Sequence, residues 1–300
     1  MDNALKRILK HNLLNNWNLF WLISVPITAL VVYEMLTTDL TTGPGVSHMI
    51  GYAVRFAIPI IFIIVATSSL LTLFPNDFTR WLMSNRKFIG LSFAVAMFWQ
   101  GVFIAVISIV HRDYYFENIF LFRDELEGTI GYILMAAMVL TSFMLVRKKL
   151  TKNQWDLVQK SGMYFLWAYP FSTYWWTTTY GAEYYDTHDF VFYYMGLFAM
   201  ICRMAAWRAR NSKKITHPAA IAVPTKLLAY GIILISLIAA MTPMYWQQPV
   251  SNFFYSAAWS YELVLWLPFY PFEPFMPLMG ILLGVYLLTP KPANSTPTNS

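Results

Sequence analysis

Leu227-Leu228-Ala229-Tyr230-Gly231-Ile232-Ile233-Leu234-Ile235-Ser236-Leu237-Ile238-Ala239-Ala240-Met241-Thr242-Pro243-Met244 is an 18-residue run without one charged side chain. As an α-helix it would be about 27 Å long, close to the hydrocarbon thickness of a bilayer, about 30 Å. Apolar blocks of similar length recur along the chain, beginning with Trp17 to Leu36. The composition agrees. Of 300 residues, 58% are hydrophobic, 18% aromatic and only 12% charged, against about 25% charged in an ordinary soluble domain. That polar surface is too small to cover a water-soluble globule of this size, which excludes an ordinary soluble enzyme. A transmembrane β-barrel would alternate apolar and polar residues with period 2, and no such alternation is present. The expected fold is an all-α polytopic membrane protein.

Eight spans are expected, at 17–37, 49–73, 88–110, 127–146, 161–180, 189–209, 226–245 and a last one ending near Leu288. The basic start, with Lys6, Arg7 and Lys10, resembles a secretory leader. The apolar run after it is too long for one, and no Ala-x-Ala site follows, so an uncleaved first span is expected. The last span is unusual. Pro268, Pro271, Pro274 and Pro277 recur at every third position, and proline breaks a helix interior. An extended or re-entrant segment is expected there, followed by a helix from Met276 to Leu288 of about 20 Å. Residues 290–300, rich in Pro, Thr, Asn and Ser, are expected to be disordered.

Charge orients the spans. With the N-terminus cytoplasmic, the inner loops hold 18 of the 21 basic residues, and 12 of the 15 acids fall on the outer half. The positive-inside rule then predicts both ends in the cytoplasm of a bacterial inner membrane. The net charge of +6 lies in membrane-flanking loops, so the expected partner is the lipid bilayer and not nucleic acid. Cys202 is the single cysteine, which excludes an internal disulfide and a Cys-ligated cluster. Neither a GxGxxG motif nor a P-loop is present. Any flavin or nicotinamide domain would have to come from a separate redox or periplasmic partner.

Two stretches resemble a known family. Phe78-Thr79-Arg80-Trp81-Leu82-Met83-Ser84-Asn85-Arg86-Lys87-Phe88-Ile89-Gly90-Leu91-Ser92-Phe93-Ala94-Val95-Ala96 is similar to the loop and third-span start of ferric-reductase-like transmembrane domains. That family includes the haem-binding membrane subunit of bacterial methionine sulfoxide reductase. Trp155-Asp156-Leu157-Val158-Gln159-Lys160-Ser161-Gly162-Met163-Tyr164-Phe165-Leu166-Trp167 resembles the family's Trp-x-x-Leu-His-x-x-Gly-x-Tyr-Tyr-Leu-Trp stretch. The likeness covers residues 46–209. It implies a first helix and outer loop over 1–45, a six-helix ferric-reductase-like core over 46–209, additional helices over 210–289 and a tail over 290–300. It also implies haem b held by histidines of the third and fifth spans, and membrane electron transfer. The family's histidines fall here on Met97, Gln100, Gln159 and, near the middle of the fifth span, Ser172. These four are the residues expected to face the haem space. Gln and Ser are poor haem ligands, and Gln within a span ordinarily bonds a neighbouring helix.

Three histidines, His48, His111 and His188, are expected at the outer ends of spans 2, 3 and 6, with Asp113, Glu117, Glu183, Asp186 and Asp189 nearby. Imidazole with carboxylate suits Zn, Cu or Fe, so an outer-face metal site is one expectation. Ordinary polar caps are the other, since no HxxxH spacing occurs. Arg55 is the basic residue within a hydrophobic span, with Glu34 a candidate partner. The dense aromatic stretch from Tyr164 to Tyr194 reads as an interfacial belt or as the lining of an apolar pocket. Two functions remain open. One is an electron-transfer or oxidoreductase component with degenerate haem ligation. The other is a haem-free protein that keeps the bundle for ligand binding or partner assembly. A transporter is disfavoured because no inverted repeat appears.

Overall fold

The computed structural model describes residues 2–180, 186–255 and 272–292. Among them the chain forms twelve α-helices and no strand: α1 (Asp2–Leu9), α2 (Asn16–Thr37), α3 (Gly43–Leu73), α4 (Asp77–Val110), α5 (Arg112–Asn118), α6 (Phe122–Thr141), α7 (Met144–Arg147), α8 (Lys152–Tyr180), α9 (Thr187–Lys213), α10 (Val223–Met241), α11 (Pro243–Tyr255) and α12 (Phe275–Leu287). Five of these, α2, α3, α4, α9 and α10, are long and apolar enough to cross a membrane. Leu227, Leu228, Leu234, Ile235 and Ile238 of α10 are exposed. A water-soluble monomer rarely leaves so continuous an apolar strip uncovered, whereas lipid covers it.

The other three expected spans are helices of a different kind. α6 is 20 residues long but begins on Arg123, Asp124, Glu125 and Glu127. α8 has 29 residues and begins with the polar run Lys152-Asn153-Gln154. α12 is apolar but only 13 residues long, about 20 Å, as the proline spacing predicts. The stretch 256–271, with most of the proline-rich segment, and residues 293–300 lie outside the described residues, as does Glu183.

The chain divides into two compact units, Met1–Thr67 with Asn76–Pro170, and Ser68–Pro75 with Phe171–Ser300. In the first, α2 and α4 form the most extensively packed helix pair. α4 starts well before the expected span because Asn76 caps it. The Asn76 side chain accepts from Thr79 N–H at 2.9 Å, and Thr79 Oγ1 accepts from Asn76 N–H at 3.1 Å. Both otherwise unpaired donors of the first turn are thereby satisfied.

Three residues of α4 at seven-residue spacing then bond α2 in turn. Asn85 Oδ1 accepts from Asn16 N–H at 2.9 Å, and its Nδ2 donates to Asn15 Oδ1 at 3.0 Å. Ser24 Oγ lies 3.1 Å from Ser92 Oγ. Trp99 Nε1 donates to Thr28 Oγ1 at 3.2 Å. Seven residues are almost two helical turns, so these three share one face. Both series ascend, so the two helices run parallel. Beyond the ladder the buried core closes with Val31, Val46, Met49, Ala53, Phe103 and Ile107.

In the second unit α10 and α12 make the largest helix contact, and α9 also packs on α12. Gly280 and Gly284, four residues apart, let the two backbones approach. A side-chain carbon at Gly284 would lie 2.8 Å from the Ala229 carbonyl oxygen and 2.5 Å from Ile233 Cγ1, and one at Gly280 would strike Ser236. This is the small-residue interface that membrane helices use when lipid removes the hydrophobic drive. Tyr193 donates to the Ala240 carbonyl at 2.8 Å, and Arg208 Nε donates to the Leu288 carbonyl at 3.0 Å. The latter satisfies a carbonyl at the end of α12, where a cation is also favoured by the helix dipole.

Candidate functional site

Two of the four residues expected to face a haem space, Gln100 and Gln159, tie helices together through their side chains. The Tyr132 hydroxyl of α6 lies 3.1 Å from both Gln100 Oε1 and the Met97 carbonyl of α4. Gln159 Nε2 of α8 donates to the Met138 carbonyl at 3.1 Å and to Thr141 Oγ1 at 3.0 Å, both on α6. The interhelical role expected of the two glutamines is what the structure shows. Ser172 is buried, but in the second unit. Within the Asn-Arg-Lys-x-x-Gly stretch, Asn85 holds the start of α2, and Lys87 Nζ lies 5.1 Å from the centre of the Phe143 ring. We expect Gln159→Leu to lower stability by about 1 kcal/mol, the usual worth of such membrane bonds, with no change in visible absorbance. Thermal unfolding of the purified variant checks this.

The three histidines each have a local partner. His48 Nε2 lies 2.8 Å from Glu34 Oε1, so Glu34 serves His48. His111 Nε2 lies 3.2 Å from the Leu40 carbonyl. His188 lies 3.1 Å from Asp189 and 3.6 Å from Asp186, at the capped start of α9. His48 and His111 belong to the first unit and His188 to the second. Among the described residues no three His, Cys, Asp or Glu side chains gather to hold a metal. Arg55 is on the exposed side of α3.

Two polar clusters were not legible in the sequence. The first, in the first unit, surrounds the start of α6. Arg123 Nη2 donates to Asp124 at 3.2 Å, Glu127 is buried with an oxygen 3.9 Å from Arg123 Nε, and the Tyr115 hydroxyl donates to Glu125. Burial, and then the adjacent Glu125 carboxylate, push the Tyr115 phenol well above its ordinary range, so it stays a donor. Carboxylates in the first turn of α6 also face the positive end of its dipole. One cation, Arg123, sits here with three carboxylates, Asp124, Glu125 and Glu127. An apolar groove of about 260 Å³ in the same unit, lined by Trp17, Phe20, Leu91 and Phe98, is almost devoid of polar atoms that could orient a ligand.

The second cluster, in the second unit, is not compensated. The Tyr180 hydroxyl at the end of α8 lies 2.7 Å from Ser251 Oγ on α11, and Ser251 donates to Glu273 Oε1 at 2.7 Å. Glu273 is only 3% exposed, and among the described residues no Lys, Arg or His pairs with it. The same two helices, α8 and α11, carry three further buried polar groups. Trp175 Nε1, Thr179 Oγ1 and Gln247 Oε1 have no hydrogen-bond partner among the described residues. The helical repeat sets them on shared faces. Trp175 and Thr179 are one turn apart on α8, as are Gln247 and Ser251 on α11. The Trp175 ring lies 5.9 Å from the Tyr180 ring and 6.2 Å from that of Trp246. The only signal in the sequence was a lone carboxylate, Glu273, flanked by Pro271 and Pro274 in an otherwise apolar stretch.

No family model, curated protein or solved structure matches this chain.

Proposed function

We propose that this chain is a haem-free integral membrane protein that binds a small molecule at the Tyr180–Ser251–Glu273 cluster. The observation that carries this reading is the buried Glu273 carboxylate without a basic partner among the described residues. A carboxylate withdrawn from water without a countercharge is costly. The bonds of Gln100 to Tyr132 and of Gln159 to α6 support the haem-free part, since these amides are committed to structure. In this proposal the bundle crosses a bacterial inner membrane eight times, with residues 1–10 and Lys291 on the cytoplasmic side. On this reading the chain keeps a ferric-reductase-like bundle without the electron-transfer chemistry.

The test is an absorbance spectrum of the detergent-purified protein, oxidised and then dithionite-reduced, with metal analysis of the same sample. A flat visible spectrum without iron or copper is expected. A Soret band at close to one haem per chain would overturn the haem-free reading and restore the electron-transfer function.

A further inference from the structure

We propose that the ligand of the Glu273 cluster is an organic ammonium that also carries an oxygen acceptor, an amino-alcohol-type group. This rests on the reading of that cluster as a binding site. Four observations select the class. Glu273 supplies a buried carboxylate, whose ionised form calls for a cation. Gln247 Oε1 is a second vacant acceptor, on a side chain 9% exposed. Each is able to receive an N–H bond of an ammonium, which has three to give.

Trp175 Nε1 is a vacant donor on a side chain that is 0% exposed. An N–H donor repels a bare metal ion but meets a hydroxyl, ester or phosphate oxygen, so the ligand carries an acceptor beside its charge. The rings of Trp175, Tyr180 and Trp246 lie near one another, and such faces attract ammonium groups. Thr179 Oγ1, able to donate or accept, completes the polar complement. Tyr180, 38% exposed, is where the chain of hydrogen bonds reaches the surface. A free amino alcohol and the headgroup of phosphatidylethanolamine share this chemistry.

The experiment uses the full chain and measures its thermal unfolding. In detergent the probes are ethanolamine hydrochloride, sodium chloride, potassium chloride and acetamide at matched ionic strength. In nanodiscs, phosphatidylglycerol is mixed with either phosphatidylethanolamine or phosphatidylcholine. Ethanolamine is expected to raise the unfolding temperature by several degrees. Glu273→Gln should abolish that shift, and Gln247→Met should weaken the affinity roughly tenfold or more. Stabilisation by phosphatidylethanolamine but not by free ethanolamine also supports the proposal and assigns the source to lipid.

A shift produced only by sodium, potassium or acetamide overturns the ammonium class while keeping the site. No shift from any probe, in detergent or nanodisc, also overturns the ammonium class. The site itself is tested separately, on ligand-free protein. Glu273→Gln is expected to raise ligand-free stability, because it removes an uncompensated buried charge. Lowered stability would make Glu273 a structural tie and overturn the binding reading. If Glu273→Gln is not recovered folded, Gln247→Met carries both comparisons, since Gln247 Oε1 ties nothing.

Discussion

Gly284→Leu is expected to abolish recovery of folded protein, and Gly284→Ala to lower its stability by about 3 kcal/mol, the upper end of what overpacking costs. The reason is the neighbour. The first atom added at Gly284 meets the backbone carbonyl oxygen of Ala229 at 2.8 Å, and a backbone cannot swing aside as a flexible side chain can. α12 would have to move away from α10 and give up the largest helix contact of its unit. Gly231 is the internal control. It lies on α10, and a side-chain carbon there would meet nothing within 4 Å. Gly231→Ala therefore gains about 1 kcal/mol from helix propensity alone. Size-exclusion recovery after a temperature series, on three variants and the parent, measures both effects. Equal behaviour of Gly284→Ala and Gly231→Ala would refute the close approach.

Asn85→Leu is the second large effect, a loss of about 3 kcal/mol. Asn85 is 1% exposed and ties the start of α2 to α4. It accepts from Asn16 N–H, donates to Asn15 Oδ1 and donates to the Trp81 carbonyl at 3.1 Å. Leucine removes these bonds and leaves the Asn16 N–H, a first-turn donor of α2, without its partner. Each buried polar group so orphaned costs about 1–3 kcal/mol. Asn16 also has φ of 58°, a left-handed conformation that asparagine tolerates better than most residues. Its hold on Asn85 keeps that turn in place. The variant should expose the start of α2, so limited proteolysis between Leu9 and Trp17 should accelerate along with the fall in unfolding temperature. Unchanged proteolysis would show that Trp81 Nε1, which donates to the Leu14 carbonyl at 2.8 Å, suffices to anchor this segment.

How much of this was legible in the chain differs from residue to residue. The boundaries of α2, α9 and α10 follow from apolar runs and came out within a few residues. The start of α4 was missed by about one-third of its length, because the expected span counted hydrophobicity and the helix begins on a capping box. The short α12 was legible because three of the four prolines fall before it and Pro277 falls in its first turn, where a missing N–H costs little. Gln100 and Gln159 were legible as interhelical partners, because an amide in an apolar span must find a bond. The spacing of Asn85, Ser92 and Trp99, and of Gly280 and Gly284, was in plain view, yet spacing names a face and not what the face meets.

The helical membrane class rests on local facts alone: block length and missing charge. Each of these is a property of a window of about 20 residues, and a bilayer reads such windows one at a time. Which polar groups meet is another matter. Tyr180 and Ser251 are 71 residues apart, and Ser251 and Glu273 are 22 apart. Their meeting depends on the rotation and depth of α8 and α11 and on the approach to α12. Those are settled by packing among helices, by contacts such as Gly284 against Ala229, and no single window contains them.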